Sequence, residues 1–332
     1  MRIVFHGGVA ASFAPGVTAL VRAAPGIAGA TFATLPDVLA DDAQRRAYAA
    51  AEAVVSFHYD AADRPRPEGL RLFQVPGAGI DEVDLAALPA GAYVCNCYGH
   101  EIPIAEYVMA ALLLHHVPLA DADRRFRAGE WAYRGGTPDA RHADLEGRTL
   151  GILGWGHIGQ AVARRARGLG LRLHVANRSP LPAGADVDRA WLLADLDGFW
   201  ESADAFAVTL PLAPGTAGIV NAAAFAAMRP HALIVNVGRG PTVDEQALYD
   251  ALKGRRIGGA VIDTWYAYPD KDDPGRRPSA LPFHELDNLV MTPHMSGWTQ
   301  GTLDRRHRAI ADNLAAVARG ERPMNVVRPP AV

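Results

Sequence analysis

Arg239, Asp263 and His294 each follow a short apolar run, and together they could handle negative charge and a proton. Arg239 comes after Val235-Asn236-Val237-Gly238 and is closed by Gly240. Its planar guanidinium suits a carboxylate or a keto acid. Asp263 ends Gly259-Ala260-Val261-Ile262, and His294 ends Met291-Thr292-Pro293. Histidine can give or take a proton near neutral pH. In a parallel α/β sheet, ligands bind at the C-terminal strand ends. Each residue alone reads as an ordinary surface or structural group. Three at successive strand ends, downstream of a nucleotide loop, read as an active site.

That loop is Gly154-Trp155-Gly156-His157-Ile158-Gly159, preceded by the apolar Thr149-Leu150-Gly151-Ile152-Leu153 and followed by the amphipathic Ala161 to Ala166. Strand, Gly-x-Gly-x-x-Gly and helix in that order predict a dinucleotide site. Gly154 allows the tight turn, Gly156 lets a pyrophosphate reach bare backbone, and Gly159 lets the helix pack close. The helix N-terminus offers free N–H groups to the phosphates. A second strand, Leu171 to Ala176, leads into Asn177-Arg178-Ser179. An NAD site usually carries Asp or Glu there for the ribose 2′-hydroxyl. With no carboxylate to repel a 2′-phosphate, and with Arg178 and Ser179 to hold it, NADP(H) is the expected cofactor, with NAD(H) possible.

These residues need a scaffold. Strands are expected at Arg2 to Phe5, Ala53 to Phe57, Arg71 to Val75 and Ala92 to Cys95, with helices at Pro15 to Ala24 and Asp41 to Ala51. After an apolar helix, Ile104 to His115, and the glycine loop, strands are expected at Ala205 to Thr209, Leu233 to Asn236, Gly259 to Ile262 and Leu289 to Thr292. Helices near Ala222 to Met228 and Asp244 to Leu252 connect them. The alternation predicts a parallel α/β fold. The mid-chain position of the glycine loop predicts two domains, the dinucleotide-binding one inserted into the other. A long last helix, Gln300 to Ala318, could return to the first. The 332 residues suffice for two cores.

A net charge of −3 gives no basic field of the kind nucleic acid requires. No apolar run has transmembrane length. Met1 to Phe5 reads as a strand rather than a signal peptide. Cys95 and Cys97 are the two cysteines, too few for a zinc site, so no metal is expected. A reduced, cytoplasmic protein is the simplest expectation.

These motifs, with Pro76-Gly77-Ala78-Gly79-Ile80-Asp81, Ile104-Ala105-Glu106-Tyr107 and Thr209-Leu210-Pro211-Leu212, closely resemble those of the D-isomer-specific 2-hydroxyacid dehydrogenases, particularly the glyoxylate/hydroxypyruvate reductase type. The resemblance covers nearly the whole chain. It implies two Rossmann-like domains: a flavodoxin-like substrate domain, residues 1–99 and 296–332, and an inserted dinucleotide-binding domain, residues 100–295. It further implies a homodimer, and hydride transfer between nicotinamide C4 and C2 of a 2-keto or 2-hydroxy acid. By motif, Arg239 would hold the carboxylate and carbonyl, and His294 would be the acid/base. The backbone of Ala78 and Gly79 would bind the carboxylate, and Asp263 would hold the nicotinamide carboxamide. Gly154, Gly156, His157, Ile158, Gly159, Asn177, Arg178, Ser179, Thr209, Leu210, Pro211, Val237, Gly238, Arg239, His294 and Gly297 would complete the cofactor site.

One position departs from the family. Where a Glu normally pairs with the histidine, alignment from Arg239 places Tyr268. A carboxylate would raise the histidine pKa, whereas a tyrosine orients the ring without supplying charge. His294 is therefore expected to titrate near its ordinary value, unless Asp270, Asp272 or Asp273 substitutes for the Glu. Formate dehydrogenases of this superfamily also lack the Glu, and their Asp-Val-Trp resembles Asp263-Thr264-Trp265. A formate- or phosphonate-oxidising enzyme is thus one alternative, and a nucleotide-sensing binding protein another. On the substrate side, His58 and Ser296 are candidate contacts. Trp298 and Trp131 could wall an apolar pocket, although core packing is the commoner fate of tryptophan.

Overall fold

The computed structural model describes residues 1–27, 29–62, 64–137, 140–270 and 273–331. In chain order its strands are β1 (Arg2–His6), β2 (Thr31–Leu35), β3 (Ala53–Val55), β4 (Leu72–Gln74), β5 (Tyr93–Cys95), β6 (Thr149–Leu153), β7 (Arg172–Asn177), β8 (Arg189–Leu192), β9 (Ala205–Val208), β10 (Leu233–Asn236), β11 (Gly259–Ile262), β12 (Leu289–Met291) and β13 (Val326–Arg328). The chain divides into two compact units, residues 1–99 with 299–332 and residues 100–298.

In the first unit the sheet runs β13-β5-β4-β3-β1-β2, parallel except for β13. Its parallel strands have the flavodoxin-like order 2-1-3-4-5. Helix Gln300–Ala318 belongs to this unit and packs on helix Ala14–Ala23. Buried Asn313 holds it there. Its amide donates to Gln74 Oε1 at 2.8 Å and its carbonyl accepts from Met324 N–H at 2.7 Å. Cys95 and Cys97 are free and fully buried, and burial pushes both thiols up to about 12.

In the second unit seven parallel strands run β12-β11-β10-β9-β6-β7-β8. This is the dinucleotide-fold order 3-2-1-4-5-6 with one added edge strand. Apolar cores cover both sheet faces. Helix Glu101–His116 lies on one face against helix His157–Gly168, burying Ile104, Val108 and Leu112. Each such side chain contributes about 1.5–3 kcal/mol. This helix starts three residues before the expected Ile104. Pro103 sits in its first turn, where a missing N–H costs nothing.

The crossing back to the first unit falls after Trp298 rather than before Ser296. Backbone N–H groups of Met295 and Ser296 are bonded to Asp263, which keeps them with the second unit. Helix Leu119–Arg127 was not expected, because it buries no residue and shows no apolar stripe. Asp121–Arg125 and Asp123–Arg127 pairs support it, at 2.7 and 2.9 Å. No single helix is both long and apolar enough to cross a membrane among the described residues.

Candidate active site

The strand order of the second unit reverses between β6 and β9, and the glycine loop lies at that crevice. Strand β6 is buried throughout. Gly154 then takes φ +101, a conformation that strains any residue with a side chain. A Cβ on Gly159 would stand 2.0 Å from the Gly154 carbonyl oxygen, so only glycine lets this helix meet this strand. A Cβ on Gly156 would meet nothing within 4 Å. The helix it opens, His157–Gly168, has no side-chain cap hydrogen bond at its N-terminus, the end where a helix dipole favours an anion. Open space, bare backbone and a positive helix end fit a dinucleotide pyrophosphate.

Thr209 and Asn177 are bonded to the loop itself. The Thr209 hydroxyl donates to the carbonyls of Leu153 and Gly154, at 2.9 and 3.2 Å. Asn177 accepts from Trp155 N–H at 3.1 Å and donates to Ser179 O at 2.9 Å. Both side chains brace the loop. Arg178 and Ser179 are exposed at the end of β7, and no carboxylate stands in that turn. His157 and Pro211 are exposed, Ile158 is half-buried, and Leu210 and Val237 are buried, so the last two could meet a cofactor chiefly through backbone.

At the end of β10, buried Asn236 folds the Arg239 turn. Its carbonyl oxygen accepts from Gly238 N–H and its amide donates to Arg239 O, both at 3.1 Å. A Cβ on Gly238 would lie 2.5 Å from Leu210 O, and one on Gly240 would lie 2.3 Å from Trp265 O. The glycines around Arg239 thus allow neighbouring backbone to approach. Arg239 is half-buried, and its Nη1 donates to Gly238 O at 2.9 Å.

His294 follows β12 with φ +57, in the left-handed region. For a non-glycine residue this costs about 1–3 kcal/mol and must be imposed by its surroundings. Asp263, fully buried at the end of β11, imposes it. Its Oδ1 accepts from the Thr292 hydroxyl at 2.5 Å and Met295 N–H at 2.9 Å, and its Oδ2 from Ser296 N–H at 3.0 Å. Successive N–H groups after a left-handed residue form a natural anion nest. The carboxylate expected to hold the nicotinamide carboxamide is therefore built into the turn that carries His294. With 29 and more residues separating these partners, no local pattern could have shown it.

Tyr268 does lie on His294, its hydroxyl 3.0 Å from Nδ1. The same hydroxyl oxygen accepts from Trp265 N–H at 3.1 Å. Nδ1 is thereby engaged, and Nε2 makes no hydrogen bond among the described residues. His294 keeps solvent access, yet desolvation by the protein packed around the ring pushes its pKa below its ordinary 6.5; the Asp263 charge opposes this and the Arg239 charge adds to it. Titration near the ordinary value, expected from Tyr268, is thus corrected downward. Burial also raises Tyr268, which stays neutral at working pH. Among the described residues, Asp263 is the carboxylate acting on His294. Asp270 turns to Asp273 N–H at 2.9 Å and Arg276 at 3.3 Å. Asp272 lies outside the described residues.

Ser296 is buried with its N–H on Asp263, and Gly297 packs beside His100 and Ile104. Trp298 and Trp131 are 50% and 65% exposed, so neither is a core residue. Trp131 sits edge-on to Phe126 with ring centroids 4.9 Å apart. In the first unit, Ala78 and Gly79 form the half-buried turn after β4, where Asn96 donates to Ala78 O at 2.9 Å. His58 is half-buried, its N–H 3.3 Å from Ser56 Oγ. Three residues of the second unit's site escaped the sequence reading as functional groups: Asn236, Thr292 and Tyr107. All stand inside or beside recognised motifs, but their partners are distant in the chain.

Comparison with known proteins bears on the family and the fold. The model of the D-isomer specific 2-hydroxyacid dehydrogenase NAD binding domain matches residues 109–296. A glyoxylate reductase of Thermococcus kodakarensis is 33% identical over 281 residues, which cover 83% of this chain and 80% of that protein. A D-3-phosphoglycerate dehydrogenase of Methanocaldococcus jannaschii is 31% identical over 267 residues, 80% of this chain. The match spans about half of that longer protein, 49%. The crystal structure of an NADPH-dependent glyoxylate/hydroxypyruvate reductase from Sinorhizobium meliloti, in complex with citrate, superposes with a TM-score of 0.75 and 27% identity, covering 99% of this chain and 98% of that one. A 2-hydroxyacid dehydrogenase from Ketogulonicigenium vulgare superposes with a TM-score of 0.79 and 25% identity, covering 99% of each chain. This chain belongs to the D-isomer specific 2-hydroxyacid dehydrogenase family.

Proposed function

We propose that the protein reduces a small 2-keto acid to the D-2-hydroxy acid, with NADP(H) as preferred cofactor. The supporting observation is the placement of Arg239 and His294 at the C-terminal ends of the near-neighbour strands β10 and β12, close enough that the Arg239 charge acts on the imidazole. When bound, the nicotinamide supplies or accepts a hydride. Reduction builds negative charge on the substrate carbonyl oxygen. Arg239 holds the carboxylate and stabilises that charge, while the His294 imidazolium delivers its Nε2 proton to the oxygen.

Tyr268 is compatible with the acid form of His294 and supports the base form less well. The imidazolium donates its Nδ1 proton to the tyrosine oxygen, so the acid form is accommodated. In neutral His294 the hydroxyl can instead donate to Nδ1. That leaves the proton on Nε2, the wrong tautomer for a base. A carboxylate, which only accepts, would exclude this tautomer.

A panel of 2-keto acids, with formate and phosphite included, tested against NADPH and NADH settles substrate class and cofactor together. Turnover of a keto acid with a lower KM for NADPH is expected. Arg178→Glu should remove the NADPH advantage, because a carboxylate repels the 2′-phosphate. Oxidation of formate or phosphite alone would support the second enzyme reading, which the low His294 pKa favours. NADPH binding without any turnover would indicate a sensor.

A homodimer is also proposed. Leu113, Leu114, Leu119, Phe126, Trp131 and Tyr133 are exposed large side chains along helices Glu101–His116 and Leu119–Arg127 and the segment after them. A second copy of the chain would cover such a surface. Light scattering should give twice the chain mass, and Trp131→Arg should yield monomer; a monomeric native protein would refute this.

A further inference from the structure

We propose that Tyr107 and Thr292 are positioning residues for His294, acting through Asp263. This rests on His294 being the acid of keto-acid reduction. Tyr107 projects from helix Glu101–His116, 185 residues before Thr292, and their hydroxyl oxygens lie 2.7 Å apart. The direction of each bond follows from donor counting. An ionised carboxylate only accepts, so the single Thr292 proton goes to Asp263 Oδ1. The Thr292 oxygen must then accept from Tyr107. Burial raises the Tyr107 pKa, so this hydroxyl stays protonated. Trp265 Nε1 donates to the Thr292 carbonyl at 2.8 Å, pinning the same residue from its backbone side.

Donation therefore runs from Tyr107 to Thr292 to Asp263, and the same carboxylate also accepts from the N–H groups of Met295 and Ser296. It closes a ring of bonds around the strained φ of His294. Thr292 shares Oδ1 with Met295 N–H, so without its hydroxyl the carboxylate can turn about its own axis. The turn can then relax, carrying the ring away from its working position. Among the described residues, the charged and titratable groups facing His294 are Asp263 from the end of β11, Arg239 from the end of β10, and Tyr268 from the loop after β11. Moving Asp263 disturbs the one carboxylate in that set.

Thr292→Val removes both hydroxyl bonds at nearly constant volume. It should lower kcat for keto-acid reduction about 10- to 100-fold, the scale of a misplaced catalytic group, with KM for NADPH unchanged. Thr292→Ser keeps the hydroxyl and should restore kcat. Tyr107→Phe, which leaves the turn intact, should cost about 2- to 10-fold. An NMR titration of the His294 imidazole, its signal assigned by absence in His294→Asn, reads the effect without turnover. The titration should move in Thr292→Val and return in Thr292→Ser. Unchanged kcat and an unchanged titration in Thr292→Val overturn the proposal, as does failure of the serine to rescue a folded protein. Were the native protein to reduce no keto acid, the functional reading would fall, and the titration would still decide this one.

Discussion

Replacing His294 with asparagine is expected to reduce keto-acid turnover about 100- to 10,000-fold, the usual contribution of a positioned acid/base. Asparagine tolerates the left-handed conformation at φ +57, so the loss reports chemistry rather than a broken turn. KM for the cofactor should change little, because Gly156 and the helix behind it are untouched. The native pH profile carries the same information. Reduction needs the imidazolium, which is fully present below the His294 pKa and lost as pH rises through it. Since partial desolvation of the ring holds that pKa under 6.5, reduction should begin to fade on the acid side of 6.5. Oxidation of the hydroxy acid should rise through the same pKa. Tyr268→Glu places a carboxylate against Nδ1 and should move the reductive limb about 1–3 pH units upward. Steady-state rates across pH measure both effects. A native limb clearly above neutrality would mean that another carboxylate reaches the ring.

Gly159→Ala should abolish cofactor binding and lower the melting temperature. The added methyl would stand 2.0 Å from Gly154 O and 3.1 Å from Gly154 C, both backbone atoms of a turn held at φ +101. The helix must lift off the strand, at a cost above the roughly 1–3 kcal/mol of ordinary overpacking. Gly156→Ala is the informative contrast. Nothing lies within 4 Å of that methyl, so the fold should melt as the native protein does. The methyl nevertheless occupies the approach of a pyrophosphate, and NADPH affinity should fall. Thermal melts with NADPH fluorescence titrations separate the two. Equal melting losses for both variants would show that Gly156 is a structural glycine and not a phosphate seat.

Most of the second unit was legible because its signals are short-range. The run Leu233 to Asn236 and the run Gly259 to Ile262 became strands with the expected ends. Each is a continuous apolar segment buried on both faces. Strand β8 was not foreseen. Arg189-Ala-Trp-Leu192 is an edge strand with mostly exposed side chains and no alternation. The preference for core packing at Trp131 and Trp298 failed because residue type gives a tendency, while exposure depends on what lies opposite.

The amino-acid sequence was enough to specify the glycine loop and the strand ends on which Arg239, Asp263 and His294 stand. Gly154, Gly159, Arg239 and His294 are legible that way, because turn geometry and strand period act within a few residues. How those groups are held belongs to the fold. The Asp263 carboxylate collects donors 29 to 33 residues away. Thr292 meets a tyrosine 185 residues upstream. Tyr268, aligned to His294 from motif spacing, meets Nδ1 across 26 residues while its oxygen accepts from the backbone N–H of Trp265. Hydrogen bonds between distant segments form only when sheet register and helix packing bring their atoms within about 3 Å, and no spacing along the chain encodes that distance.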